Sequence, residues 1–175
     1  MKSSKPAKSP GANVPCFDDE AEAVIVRLLT KRQQTLALAE SCTGGCIADR
    51  ITNMPGASAV FLGGVVAYSN AAKRKFLGVC AETLAAHGAV SEAVAREMAE
   101  GARENFGADF AVAVTGIAGP TGGTRVKPVG TVFIALAGAP GTVVERKLNS
   151  RGRKQFKHVT ARQALEMLRA RLVCD

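Results

Sequence analysis

The chain has 175 residues, enough for one domain with a sizeable core, and carries 23 Lys/Arg against 15 Asp/Glu for a net charge of +8. Five cysteines with no CxxC pair, and two histidines, argue against a disulfide framework or a zinc site and fit reducing cytosol. No apolar run approaches the roughly 18–20 residues of a membrane span, and the basic start "MKSSKPAKSPGANVP" lacks the apolar segment of a secretory signal, so a cytoplasmic protein without membrane association is expected.

The positive charge is confined to the termini. Residues 1–8 hold three lysines and no acid, and residues 145–175 hold nine Lys/Arg against three acids, while 9–144 carry eleven bases and twelve acids. Basic ends attract polyanions. The C-terminal segment nevertheless lacks the interleaved aromatics of a single-strand stacking platform, so a solvated tail and helix face account for the charge and nucleic acid is not the expected partner.

Residues 1–15, rich in Lys, Ser, Pro and Gly, read as a disordered tail, leaving 16–175 as a single domain. "DDEAEAVIVRLLTKRQ" (18–33) has acids in its first turn, bases in its last and apolar residues at helical spacing. "TLALA" (35–39) reads as a short buried strand. The helix after it is expected to open at Ser41 to Thr43 and to stop before Pro55. "AVFLGGVVAYS" (59–69) reads as a strand in which Gly63-Gly64 marks a bulge or close backbone approach.

Helices are predicted over 70–77, 81–88 and 91–107, the last with Ser91 as N-cap and Gly107 as stop. "DFAVAVTG" (109–116) is a strand that runs into the glycine-rich "GIAGPTGGTRVKPVG". Strands over 130–138 and 142–149 flank "APG" and read as an antiparallel hairpin, and 153–172 closes the chain as an amphipathic helix. Strands joined by helices run parallel with right-handed crossovers, whereas a hairpin forces an antiparallel neighbour. The expected fold is α/β, a three-layer α/β/α sandwich around a mixed, mostly parallel five-stranded sheet.

In open α/β sheets ligands bind at the carboxyl ends of the strands. Three such ends hold unusual residues: "AESCTGG" (39–45), "AYSNAAK" (67–73) and "VTGIAGPTGGT" (114–124). Ser41 and Thr43 are either helix caps or polar groups of a site. Gly44 and Gly45 let a ligand approach the backbone and leave N–H groups for an anion. Cys42 is either a dipole-activated thiolate, which predicts a thiol hydrolase, or a buried apolar residue.

Tyr68 is the only tyrosine, and Lys73 stands in a basic run with Arg74 and Lys75 that by itself reads as a solvated face. In a dry cleft Lys73 would become a base near neutral pH, and serine, tyrosine and such a lysine can run amide hydrolysis without histidine. The loop glycines at 116, 119, 122 and 123 match neither a Walker motif nor GxGxxG, but offer a backbone nest for a phosphate.

Together "AESCTGG", "GGVVAYSNAAK", "AHGAVSEAVAREMAEGAR" and "AVTGIAGPTGGTRVKPVGTVFIA" resemble the CinA C-terminal domain family over residues 18–172, in its stand-alone form without the larger N-terminal domain. The resemblance implies a nicotinamide-nucleotide amidase, which converts nicotinamide mononucleotide to nicotinate mononucleotide and ammonia in pyridine-nucleotide salvage. It implies Ser41 as nucleophile and Tyr68 and Lys73 as its partners. Substrate binding would fall to Cys42, Thr43, Gly44, Gly45, Thr115, Gly116, Gly119 and Arg153, with no metal or organic cofactor.

A small-molecule nucleotide as substrate and a homodimer or higher homo-oligomer are the partners so implied. The chain departs from the family at Gly152, where an aspartate is usual, at Thr121, where glycine or aspartate is common, and at Arg125-Val126, where Pro/Glu or two acids are usual. The alternative reading is a noncatalytic nucleotide- or DNA-binding module linked to competence.

Overall fold

The computed structural model describes residues 21–174, so the tail expected over 1–15, Cys16 and the expected helix start at 18 lie outside the described residues. The chain runs α1 (Ala21–Arg32), β1 (Leu36–Glu40), α2 (Cys46–Thr52), a 3-10 turn (Ala57–Ala59), β2 (Phe61–Val66) and α3 (Asn70–Leu77). It continues through α4 (Ala81–His87), α5 (Glu92–Phe106), β3 (Phe110–Gly116), β4 (Thr131–Gly138), β5 (Gly141–Leu148) and α6 (Arg153–Cys174).

The strands form one sheet in the order β2-β1-β3-β4-β5. β1 pairs parallel with β2 and β3, and the β3–β4 and β4–β5 pairs are antiparallel, so only β4 runs against the other four. β1 therefore lies at the centre of three parallel strands. The chain winds to one side of it to form β2, then crosses to the other to form β3, which puts the ends of all three strands around one crevice.

Alternation along the strands sorts the two faces. Leu36, Leu38, Phe110, Val112, Val114, Val132, Ile134 and Leu136 pack against residues of α1, α2 and α6. Ala37, Ala39, Ala111, Ala113, Ala135 and Ala137 meet α5 on the opposite face. Successive strand residues point to opposite faces, so "LALA", "FAVAV" and "IALA" encode a thick layer on one side and a thin one on the other. The alanines let α5 lie close, and α5 in turn presents Ala95, Ala99 and Ala102. Gly101 completes the contact: a Cβ there would fall 1.9 Å from the carbonyl oxygen of Leu77, so α5 touches the end of α3 backbone to side.

Three boundaries differ from expectation. β2 is shorter than 59–69, because Ala57–Ala59 forms the 3-10 turn and Ser69 instead caps α3, accepting from the Ala72 N–H at 3.1 Å. The register slips between Leu36 and Ala37, whose partners are Phe61 and Gly63, and a Cβ on Gly63 would lie 2.7 Å from the Phe106 ring. Bulge and close approach thus occur together. α2 opens at Cys46 with Gly45 as N-cap at φ 94°, not at Ser41 to Thr43, for a reason that lies in the site.

Candidate active site

The end of β1 is organised by Glu40, a residue the sequence reading did not single out. Its carboxylate is buried and turns back under the 41–45 turn, accepting from the backbone N–H of Gly45 (2.9 Å), Ile47 (3.1 Å) and Ala48 (2.8 Å). A carboxylate at the start of a helix satisfies N–H groups that have no intrahelical partner. Because Glu40 does the capping, Ser41 and Thr43 do not. Its sequence signal was an acid ending an apolar strand just before two glycines.

Ser41 is thereby left to another partner. The Nζ of Lys73 donates to Ser41 Oγ at 2.9 Å and to the Ala67 carbonyl at 2.7 Å. Lys73 is 1% exposed and Ser41 8%, so the basic run 73–75 is not one solvated face: helical geometry turns Lys73 inward while Arg74 and Lys75 stay exposed. Burial pushes the Lys73 pKa below the ordinary lysine value, with the nearby Cys42 sulfur opposing the shift. Removing a charge from water without a carboxylate partner favours the neutral amine.

Tyr68 makes no hydrogen bond to either side chain of this pair. It is 60% exposed, and its hydroxyl accepts from Arg153 Nη2. Arg153 Nη1 donates to the Gly119 carbonyl at 3.0 Å, so one guanidinium ties the start of α6 to the glycine loop and to the end of β2. Thr115 is buried and donates its hydroxyl to the Ala89 carbonyl at 2.8 Å, while Gly116 packs where a Cβ would meet the Thr131 carbonyl at 2.8 Å. Gly119 has φ 71° and lies against Val129. The loop itself is held by Lys127 Nζ on the His87 carbonyl (2.7 Å) and Arg146 on the Val126 carbonyl (2.9 Å).

Cys42 belongs to the core between the sheet and α2 and α6. Burial pushes its thiol up to about 12, which disfavours the thiolate that a thiol hydrolase needs. Thr43 is fully buried, and its hydroxyl has no partner among the described residues. Gly44, at φ 60°, is exposed and faces the Nζ of Lys157, a second residue the sequence reading passed over.

The Gly45 N–H is taken by Glu40. The N–H of Gly44, the exposed residue of the turn, donates to no protein acceptor among the described residues and remains open to a ligand. No group of three His, Cys, Asp or Glu side chains arranged to hold a metal occurs among the described residues, and no helix there is long and apolar enough to cross a membrane.

This geometry can be set beside known proteins. Residues 18–172 match the family described as the CinA C-terminal domain. A CinA-like protein of Synechococcus sp. (strain CC9902) is 52% identical over 160 residues, covering 90% of this chain but 38% of that relative. One of Thermotoga maritima is 58% identical over 119 residues, or 68% of this chain and 29% of the relative. The chain thus spans less than half the length of these curated relatives.

Among solved structures, a competence/damage inducible protein CihA from Agrobacterium tumefaciens superposes with a TM-score of 0.84 at 44% identity, over 91% of this chain and 98% of that one. A CinA superfamily protein from Klebsiella pneumoniae gives 0.84 at 37%, over 89% and 97%.

Proposed function

Because the chain belongs to the CinA C-terminal domain family, we propose that it is an amidohydrolase that converts nicotinamide mononucleotide to nicotinate mononucleotide and ammonia. The observation that carries the reading is the buried 2.9 Å contact between Lys73 Nζ and Ser41 Oγ. A serine hydroxyl is a weak nucleophile until an adjacent base takes its proton, and a lysine desolvated as Lys73 is can be that base.

The chemistry balances with these two groups and water. Neutral Lys73 accepts the hydroxyl proton as Ser41 Oγ attacks the carboxamide carbon, and the carbonyl electron pair moves to oxygen. The open N–H of Gly44 holds that oxyanion, one such donor being worth roughly 3–4 kcal/mol in comparable sites. As the C–N bond breaks, the Lys73 ammonium gives its proton to the leaving amine and ammonia departs. Water then attacks the acyl-serine with Lys73 again as base, which releases the carboxylate and restores Ser41. The Ala67 carbonyl fixes the amine by accepting one of its N–H bonds throughout.

Tyr68 acts in this scheme through Arg153 at the mouth of the site rather than on the Ser41 proton, since its hydroxyl is bonded there. Ammonia release by the purified protein, beside Ser41→Ala and Lys73→Met, tests the proposal. Turnover by the wild type and loss in both folded variants support it. An inactive wild type that binds DNA with a steep salt dependence would replace it with the binding-module reading.

A further inference from the structure

Three consecutive carbonyls of the link between α4 and α5 are each held by a side chain from a different element. Lys127, in the loop between β3 and β4, donates from Nζ to the His87 carbonyl at 2.7 Å. Ser91, the N-cap of α5, donates to the Gly88 carbonyl at 2.9 Å, and Thr115 at the end of β3 donates to the Ala89 carbonyl at 2.8 Å. Thr115 follows Val114, whose carbonyl accepts from the Ser41 N–H at 3.1 Å. Residues 87–89 therefore form a strut from the β3–β4 loop to the strand end beside the nucleophile.

Packing does little to hold that strut. α4 buries no residue, and its apolar hold on the α5-side core is the partly buried Leu84. Its first turn is tethered to α5 by Glu97, whose carboxylate accepts from the Cys80 N–H at 2.9 Å and from the Thr83 hydroxyl. Glycines bound the helix: Gly78 at φ 65° has nothing within 4 Å of a Cβ position, and at Gly88, φ 71°, the nearest atom is the Lys127 Nζ at 4.0 Å. Both can change conformation without a steric obstacle. A segment with so few buried apolar contacts opens at low free-energy cost, so the side-chain donors fix where the link lies. Lys127, by contrast, belongs to a closed turn: its N–H meets Thr124 Oγ1 at 3.0 Å and its carbonyl accepts from the Thr124 N–H at 2.8 Å. Its backbone moves with the loop while its side chain reaches out to the link.

We propose that Lys127 is a positioning residue for the amide hydrolysis: its ammonium latches the β3–β4 loop to residues 87–89 and so sets how closely that loop lies over Ser41. The inference rests on the amidase reading for the reaction the latch serves. Lys127 does not touch the reacting atoms in it. With the latch made, loop and link close the site together. With the latch released, the loop keeps Arg153 on the Gly119 carbonyl and Arg146 on the Val126 carbonyl, but loses its tie through Ala89 and Thr115 to the nucleophile's strand end. A charged donor makes the latch stronger than a neutral hydrogen bond. Its exposure to water lets it break and re-form as substrate enters and product leaves.

The test compares wild type, Lys127→Met, which keeps the stem and removes the donor, and Lys127→Arg, which keeps a charged donor. Amide hydrogen exchange is read on the full chain without ligand, and ammonia release is read with nicotinamide mononucleotide. In Lys127→Met, residues 84–90 and 117–126 should both exchange faster by about threefold or more, the worth of one exposed charged contact. Amides of β3 and α6 should keep wild-type rates. KM should rise by about the same factor while kcat changes less than about twofold, and the pH limb set by Lys73 should not move.

Lys127→Arg should return both readouts to near wild type. Faster exchange in only one of the two segments, in neither, or throughout the protein overturns the inference, as does a fall in kcat with KM unchanged. A wild type that releases no ammonia defeats the amidase reading instead, and the exchange comparison still decides whether Lys127 joins the loop to the link.

Discussion

Glu40 and Gly45 close a five-residue turn on themselves: the N–H of Gly45 meets Glu40 Oε2 at 2.9 Å, and the same carboxylate goes on to cap Ile47 and Ala48. One buried acid thus sets the shape of the turn that presents Ser41. Glu40→Ala should cost about 3 kcal/mol, since it strands one buried and two part-buried N–H groups, whereas Glu40→Gln retains one acceptor oxygen and should cost about 1 kcal/mol. Urea denaturation gives both figures. Ammonia release should fall in step with them, because in the proposed mechanism the turn carries the nucleophile and an oxyanion donor.

Lys73 predicts a particular pH dependence. Its folded pKa is depressed below the usual 10.5 by burial, so the activity kcat/KM should rise with pH along a limb that lies below 10.5. The stability consequence has the same sign. Between the depressed folded value and 10.5 the unfolded chain binds more protons than the folded one, so stability increases with pH across that window. Below the folded value the penalty for burying the ammonium is at full size. Lys73→Met should flatten this part of the stability profile and lower activity by about 10²–10⁴-fold. A wild-type and Lys73→Met pair with parallel profiles would contradict the assignment.

The Cys42 thiol, raised to about 12, should resist alkylation at pH 7.5 in the folded protein and react once the chain is unfolded, as peptide mass spectrometry would show. Cys42→Ala should keep most amidase activity and lose about 1 kcal/mol of stability through lost core packing. Complete inactivation of that variant, with Ser41→Ala active, would move the nucleophile to sulfur.

Gly101 links the thin face of the sheet to the site. Because its absent Cβ would lie 1.9 Å from the Leu77 carbonyl, Gly101→Ala must push α5 away from the end of α3, at a cost of about 3 kcal/mol. Since α3 carries Lys73, the Lys73–Ser41 contact lengthens as well. Activity should therefore fall further than the same loss of stability produces in a variant elsewhere on α5, such as Met98→Ala.

Much of this molecule is determined by sequence alone. The large-small alternation of "LALA", "FAVAV" and "IALA" places every central strand and its two faces, because side chains alternate across a pleated sheet whatever surrounds it. The glycine stops, the serine caps of α3 and α5, and the clustering of "AESCTGG", "AYSNAAK" and the glycine loop at strand ends are equally local signals. Pairings between residues far apart in the chain required the fold.

That Lys73 is buried against Ser41 while Arg74 and Lys75 face water depends on how α3 is rolled on the sheet, which "KRK" does not encode. Glu40 rather than Ser41 or Thr43 caps α2, because an acid at the end of a buried strand has no other source of hydrogen bonds than the turn above it. Tyr68 reaches Arg153, and Lys157 reaches Gly44, only because the last helix packs back across the first crossover. Local periodicity specifies which elements form, but which side chains meet at their ends is decided by the packing angles between elements, a property of the assembled core.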